Sequence, residues 1–494
     1  MNICEKYSTP SRPERILQFG EGNFLRAFAD WMVDGANKKG VYDGNIVICQ
    51  PIESGLCDAL NAQKGVYTAI LRGLEGGRKL EDFYQVTSVS RCINPYKDYG
   101  ALMGLARSPE SEVVISNTTE AGIAYRAGER LEDRPPVSFP AKAAAFLYER
   151  YKAFGGAAEK GLLFLPVELI EENGRKLKEL ILKHAAEWEL PAGFARWVEE
   201  NNHFCDTLVD RIVTGYPREE AASLEERLGY EDRLITTGEP FHLWVIQGRK
   251  EWAERLPLRE AGFNVLWTDD LTPYRTRKVR ILNGAHTMSA LAAYLCGHDT
   301  VLEMMGDALF LEYIKRGLKG EIMPTLTLPM EELESFAGSV LERFANPFIK
   351  HKLLDISLNS ASKFRERCLP SILGYMEREG KPPRLLSFAW AAFARFYKGA
   401  QADGGAYTGA REGGGAYTVR DGAEVLDFFG KLWSGPGARG DWEGFASEML
   451  ASAELWGRDL SGEAKLRSAV AEDLGKIMRD GVKGALRARI GESL

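Results

Sequence analysis

The sequence predicts an α/β chain whose N-terminal half holds a mainly parallel sheet and whose C-terminal half is mostly α-helical. Three observations lead there. A strand, a glycine turn and a helix open the chain; apolar runs of strand length then alternate with helical stretches to about residue 270; and long helical patterns dominate beyond Tyr274.

Residues 15–19 (RILQF) read as a short buried strand that enters Gly20-Glu-Gly22-Asn-Phe24-Leu-Arg26. Phe24, Phe28, Trp31 and Met32 then recur at helical spacing as far as Ala36. The run 45–49 (NIVIC) fits the next parallel strand, and 112–116 and 161–165 fit later ones, with helical stretches such as 141–154 between them. In the second half, 278–295, 331–344, 385–397, 425–433 and 463–478 read as helices. Turn chemistry at 267–273 (WTDDLTP) divides the chain into a domain at 1–270 and a domain at 271–494. The pentapeptide GGAYT occurs at 404–408 and again at 414–418. Two copies at so short a period do not make a solenoid, and the segment reads as a mobile glycine-rich surface loop.

Composition narrows the function. The 494 residues carry 63 Lys and Arg against 70 Asp and Glu, a net charge of −7, which lacks the positive excess of a general phosphate-backbone binder and sets nucleic acid aside as a partner. The N-terminus MNICEKYSTPSRPER has no apolar core of a secretory signal, and no run approaches the ~18 apolar residues of a membrane span. The seven cysteines are odd in number, scattered, and never in a C-x-x-C pair, so they suggest neither a disulfide frame nor a zinc ribbon. A folded cytoplasmic chain in a reducing compartment is expected, with no membrane partner.

The glycine turn is the first candidate site. A dinucleotide pyrophosphate needs backbone N–H groups and a helix N-terminus close by, and side chains in the turn would block its approach. Gly20 and Gly22 stand where those requirements fall, although Leu25 occupies the third position of G-x-G-x-x-G. The acidic residue expected after the second strand is absent, since Gln50-Pro51 follows Cys49 and Glu53 is the nearest carboxylate. No Arg stands beside it to favour a 2′-phosphate, so the reading is NAD.

The second candidate is Lys278-Val-Arg-Ile-Leu-Asn283-Gly-Ala-His286-Thr. On an α-helix, His286 lies about 80° and Asn283 about 140° around from Lys278, so the three share one broad face. An ammonium to give a proton, an amide N–H for a developing oxyanion and an imidazole to hold a neighbouring hydroxyl suit carbonyl–alcohol exchange. The same spacing also fits an amphipathic helix whose lysine faces water and whose histidine belongs to the core. Tyr274 and Lys278 form a Tyr-x-x-x-Lys pair, but the short-chain dehydrogenases that use this pair are shorter and space their glycines differently.

Taken together, these motifs resemble the polyol-specific long-chain dehydrogenase family, which includes mannitol dehydrogenase and the hexuronate reductases. The matching pieces are Gly20 to Ala27, Ser116-Asn117-Thr118-Thr119-Glu120-Ala-Gly122, Val209-Asp210-Arg211-Ile212 and Lys278 with Asn283 and His286, in the family's order from residue 15 to about 370. The wording of 16–28, 116–123, 207–217 and 281–287 is most similar to the hexuronate reductases. The resemblance implies a Rossmann-like N-terminal domain, a helical C-terminal domain, a cleft between them, NAD as cofactor and no metal. It places cofactor contacts at Gly20, Gly22, Asn23, Phe24, Arg26, Asn117, Thr118 and Glu120. It also implies that Lys278 transfers the proton, Asn283 binds the oxyanion, His286 orients the substrate and Asp210 lies on the substrate side.

One departure stands out. Mannitol-type members carry an Asp-Asn pair ahead of an Asn-Gly, whereas this chain reads Glu168-Leu169 ahead of Asn173-Gly174. Glu168 then either binds a substrate hydroxyl or is a strand-end carboxylate facing solvent. A hexuronate differs from a polyol by its carboxylate, which needs a cation, and Lys363 and Arg365 are the candidates from the basic run 362–367. A sister hexuronate reductase, a polyol dehydrogenase, and a non-catalytic nucleotide sensor that kept the fold are the competing readings. The intact lysine, asparagine and histidine argue against the last.

Overall fold

In the computed structural model, which describes residues 1–119, 121–401 and 406–491, the apolar runs of the first half become strands. They are β1 (Glu14–Phe19), β2 (Asn45–Cys49), β3 (Tyr67–Glu75), β4 (Arg78–Val86), β5 (Val89–Ile93), β6 (Val113–Ser116), β7 (Leu163–Pro166) and β8 (His203–Phe204), followed by β9 (Asp206–Asp210), β10 (Val213–Gly215), β11 (Thr236–Gly238), β12 (Leu243–Gln247) and β13 (Val265–Thr268). The chain divides into two units, Met1–Leu271 and Thr272–Leu494.

The main sheet of the first unit runs β5-β2-β1-β6-β7-β8, and every pairing in it is parallel. Side chains alternate across it with period two. Ile16, Ile46, Ile48, Val113, Ile115 and Leu165 feed one apolar cluster, while Leu17, Phe19, Val47, Val114 and Phe164 feed another on the opposite face. Burial on both faces explains why these strands read as continuous apolar runs. A β10-β11-β3-β4 sheet and a β13-β12-β9 sheet complete the unit.

Asp30, in helix Ala29–Lys38, accepts the Tyr67 hydroxyl at 2.7 Å, and burial pushes its carboxyl up to about 7. The native state therefore retains a proton that the unfolded chain releases near pH 4, so the contribution of this group to stability falls as pH rises between those values. Asp30→Asn is expected to remove that slope. Raising the pH from 5 to 8 should lower the midpoint of thermal unfolding by a few °C more in the wild type than in the variant, and parallel curves would overturn this account.

The second unit is mostly helical. Helix Arg384–Phe396 packs against Ala464–Gly491 and Gly284–Leu295, and Phe364, Trp390, Phe393 and Trp456 meet ring to ring. The segment read as a mobile loop differs from expectation. Gly404 lies outside the described residues, but Tyr407–Ala410 pairs antiparallel with Gly399–Gln401 and with Ala416–Thr418. Each pentapeptide supplies a buried tyrosine: the Tyr407 hydroxyl donates to the Tyr397 carbonyl at 2.9 Å and that of Tyr417 to the Phe396 carbonyl at 2.8 Å. Those anchors hold Tyr407–Ala410 and Ala416–Thr418 as strands.

Candidate active site

Counted within the main sheet alone, the strand order is 3-2-1-4-5-6, so it reverses between β1 and β6. In such sheets ligands bind outside the carboxyl ends of the strands at this reversal. Gly20 follows β1 and Asn117 follows β6, and the Asn117 N–H donates to the Phe19 carbonyl at 2.9 Å. A Cβ at Gly20 would stand 2.6 Å from the Asn117 carbonyl oxygen, and its φ of 119° is open to glycine alone. At Gly22 a Cβ would meet nothing within 4 Å, so the bare backbone there faces open space. That combination, a turn closed on the protein side and unobstructed on the other, fits a dinucleotide pyrophosphate. A cavity of about 550 Å³ lies at the same strand ends, lined by Phe24, Asn117, Thr119, Val167, Glu168 and Val209 among others.

Residues expected at the cofactor and at the substrate take part in bracing the turn and the neighbouring strand ends. Arg26 is fully buried; its guanidinium donates to the Glu21 carbonyl at 3.0 Å, to Asn23 Oδ1 at 2.7 Å and to the Leu234 carbonyl. Arg26, expected at the cofactor, thus holds the turn from behind, with each of its three guanidinium nitrogens already donating within the protein. Glu168 does not face solvent either. The Thr118 N–H and hydroxyl each donate to Glu168 Oε1 at 3.0 Å, and the Ser116 hydroxyl donates to Oε2 at 3.0 Å. Burial raises the carboxyl pKa against these bonds. Thr118 is thereby fixed by Glu168, the first just past the end of β6 and the second just past the end of β7. Asn173 ties the segment together, its Nδ2 donating to the Pro166 and Glu168 carbonyls at 3.1 Å and its Oδ1 accepting from the Thr207 N–H at 2.9 Å. Leu169, 65% exposed, lines the cavity where mannitol-type members carry an amide. Asp210 is buried at the end of β9, and Glu120 lies outside the described residues.

The second candidate lies wholly in the other unit, where the structure changes its geometry. Helix Thr272–Arg277 runs into a π-helical turn, Lys278–Asn283, before α-helix resumes at Gly284–Leu295. The Gly284 N–H reaches back five residues to the Val279 carbonyl. A π turn advances less per residue than an α-helix, so Asn283 lies closer around the axis to Lys278 than the roughly 140° an α-helix would give. Such turns concentrate at functional sites. Arg280 anchors the turn from its buried side through a 2.8 Å bond to the Ser371 hydroxyl.

His286 stacks on Phe344 with ring centroids 3.9 Å apart and planes at 11°, and meets His351 edge-on at 5.2 Å. Its Nε2 is enclosed without a hydrogen-bond partner. Burial first, then His351 and the cations Arg343, Arg367 and Lys363, hold its pKa well below the usual imidazole range, so the ring is neutral near pH 7 and ready to exchange a hydrogen bond with a hydroxyl. Arg343 and Arg367 were not among the expected site residues; the sequence shows Arg343 only as a lone cation near the end of an acidic helix and Arg367 only as a member of a basic one. Lys363 Nζ donates to the Ile356 carbonyl at 2.9 Å, while Arg365 lies 3.7 Å from Glu366 and lines a different groove with Asn359, Ser362 and Glu424. Among the described residues no group of three His, Cys, Asp or Glu side chains could hold a metal ion, and no helix is long and apolar enough to cross a membrane.

Comparison with known proteins agrees with this architecture. The family model described as the mannitol dehydrogenase Rossmann domain matches residues 14–260, and the mannitol dehydrogenase C-terminal domain matches residues 270–478. An altronate oxidoreductase of Yersinia enterocolitica is 45% identical over 481 residues, covering 97% of this chain and 97% of that protein. One of Pectobacterium atrosepticum is 46% identical over 490 residues, 98% of this chain and 99% of that protein. Among solved structures, a Pseudomonas fluorescens mannitol 2-dehydrogenase in ternary complex with NAD and D-mannitol superposes with a TM-score of 0.65 at 23% identity, covering 99% of this chain and 96% of that one. A substrate-free D-sorbitol dehydrogenase gives 0.78 at 23% identity, covering 97% of each chain. At that identity the structures bear on the fold alone. With both domain models matched in order along the chain, and with relatives this similar over nearly its whole length, the protein belongs to the mannitol dehydrogenase family.

Proposed function

We propose that this chain is an NAD-dependent oxidoreductase that interconverts D-tagaturonate and D-altronate without a metal. Relatives named altronate oxidoreductase, about as long as the chain, support the substrate class. The open backbone at Gly22, beside the strand reversal, supports the dinucleotide. The observation that carries the reaction is the π turn, which brings Asn283 closer around the helix axis to Lys278.

When bound, NADH supplies the hydride to the keto carbon. The Lys278 ammonium gives its proton to the carbonyl oxygen, and in the oxidative direction the amine takes the proton back from the hydroxyl. The Asn283 amide donates a hydrogen bond to the oxyanion as charge builds on it. Neutral His286 holds an adjacent hydroxyl and fixes which carbon faces the hydride. Seven free cysteines support a reducing, cytoplasmic setting.

The test is NADH oxidation with D-tagaturonate, D-fructuronate and the neutral ketohexoses D-tagatose and D-fructose. D-Tagaturonate is expected to have the highest kcat/KM, at least about tenfold above the neutral ketohexoses, the margin that one well-placed charge contact supplies, with D-fructuronate, which carries the same carboxylate, between them. Preference for D-fructuronate or a neutral sugar would move the enzyme elsewhere in its family.

A further inference from the structure

Helix Ser360–Arg367 carries three cations, and its pitch sorts them. Lys363 and Arg367 are four residues apart and share a side, whereas Arg365 sits about 200° around from each. Arg365 accordingly pairs with Glu366 on the groove side. Lys363 and Arg367 instead bear on His286, together with Arg343 and His351 from the segment that carries Phe344. The Arg367 carbonyl would stand 3.4 Å from a Cβ on Gly284, which places the end of this helix directly against the start of the one holding His286.

Like charges at this spacing repel, and the acids near them offer little relief. Asp421, which faces Lys363, already accepts the Ala361 and Gly422 N–H groups at 3.1 and 2.8 Å and the Tyr397 hydroxyl. Glu366 lies 3.7 Å from Arg365 and is felt by Arg367 without an ion-pair contact to it, and Asp355 bears on His351. Arg367 is half-buried, which lowers its pKa, and its guanidinium has no hydrogen-bond or ion-pair partner among the described residues. A half-buried, unpaired guanidinium beside a lysine and a neutral imidazole is built to receive an anion, and its planar fork matches a carboxylate in two parallel hydrogen bonds.

Resting on the function proposed above, we infer that Arg367, assisted by Lys363, binds the substrate carboxylate and sets the preference for a sugar acid over a neutral sugar. The experiment measures steady-state kinetics of Arg367→Met, Arg367→Lys and Lys363→Met with D-tagaturonate, D-tagatose and D-fructose 6-phosphate, alongside NADH affinity. Arg367→Met should raise KM for the acid roughly 10- to 100-fold, change kcat less than about threefold, and leave kcat/KM for the neutral sugar and NADH affinity unchanged. Arg367→Lys, which keeps the charge but loses the fork, should raise KM by only about 3- to 10-fold, and Lys363→Met should fall in the same range.

An unchanged KM in Arg367→Met and Arg367→Lys overturns the assignment, as does equal loss of acid and neutral-sugar activity, which marks a structural role. Faster turnover of the phosphate ester than of the acid overturns the carboxylate as ligand. If Arg367→Met does not fold, the Arg367→Lys and Lys363→Met values decide by the same criteria. Absence of hexuronate turnover in the wild type is a separate result and removes the parent reading.

Discussion

Lys278→Ala is expected to lower kcat for D-tagaturonate reduction by about 10²–10⁴-fold, the range contributed by a positioned proton-transfer group. NADH affinity should remain within about twofold, because the glycine turn belongs to Met1–Leu271 and the lysine to Thr272–Leu494. The reduced keto oxygen must acquire a proton as the hydride arrives, and an ammonium can supply it and be recharged from solvent. Lys278→Arg should be nearly as impaired, since a guanidinium does not release its proton near neutral pH. Stopped-flow NADH binding and steady-state turnover on the same preparations check both statements. Near-normal turnover in Lys278→Ala would remove the lysine from the chemistry.

The glycine turn yields the second large effect through a paired comparison. Gly20→Ala places a methyl 2.6 Å from the Asn117 carbonyl and forces φ 119° on a residue with a side chain. It should destabilise the first unit by about 1–3 kcal/mol and abolish measurable NADH binding. Gly22→Ala meets nothing in the protein, so its melting curve should match the wild type while NADH binding weakens about 10- to 100-fold, since the methyl occupies the approach of the pyrophosphate. The two variants separate what the fold requires from what the ligand requires. Wild-type NADH affinity in Gly22→Ala would show that the turn does not receive the dinucleotide.

Much of the first unit was readable because strands buried on both faces leave unbroken apolar runs, as at 45–49 and 163–166. Leu25 broke the glycine fingerprint without breaking the fold, since it is a core residue packed close behind Gly20. Other features were hidden for physical reasons. A π turn adds one residue to a helix and leaves the apolar pattern on either side intact, so counting in α-helical steps overestimates the angle between Lys278 and Asn283. The role of Glu168 depends on Ser116 and Thr118, some fifty residues earlier, a pairing that no local pattern encodes. Telling Arg367 from Arg365 required the phase of helix Ser360–Arg367 and the location of His286, neither of which a basic run reveals. The tyrosines of the repeated pentapeptide were readable as residues, but their burial against Phe396 and Tyr397 was not.

Arg26 reaches the carbonyl of Leu234, 208 residues downstream, and Arg211 reaches back 184 residues to that of Ala27. The chain's opening turn is therefore completed only when late segments of the same unit have left the ribosome. Until then its backbone lacks both braces, and contacts of such sequence separation form slowly. Nascent N-terminal fragments would carry the glycines without the frame that holds them, so affinity for nucleotide arises near the end of synthesis of the unit that displays it.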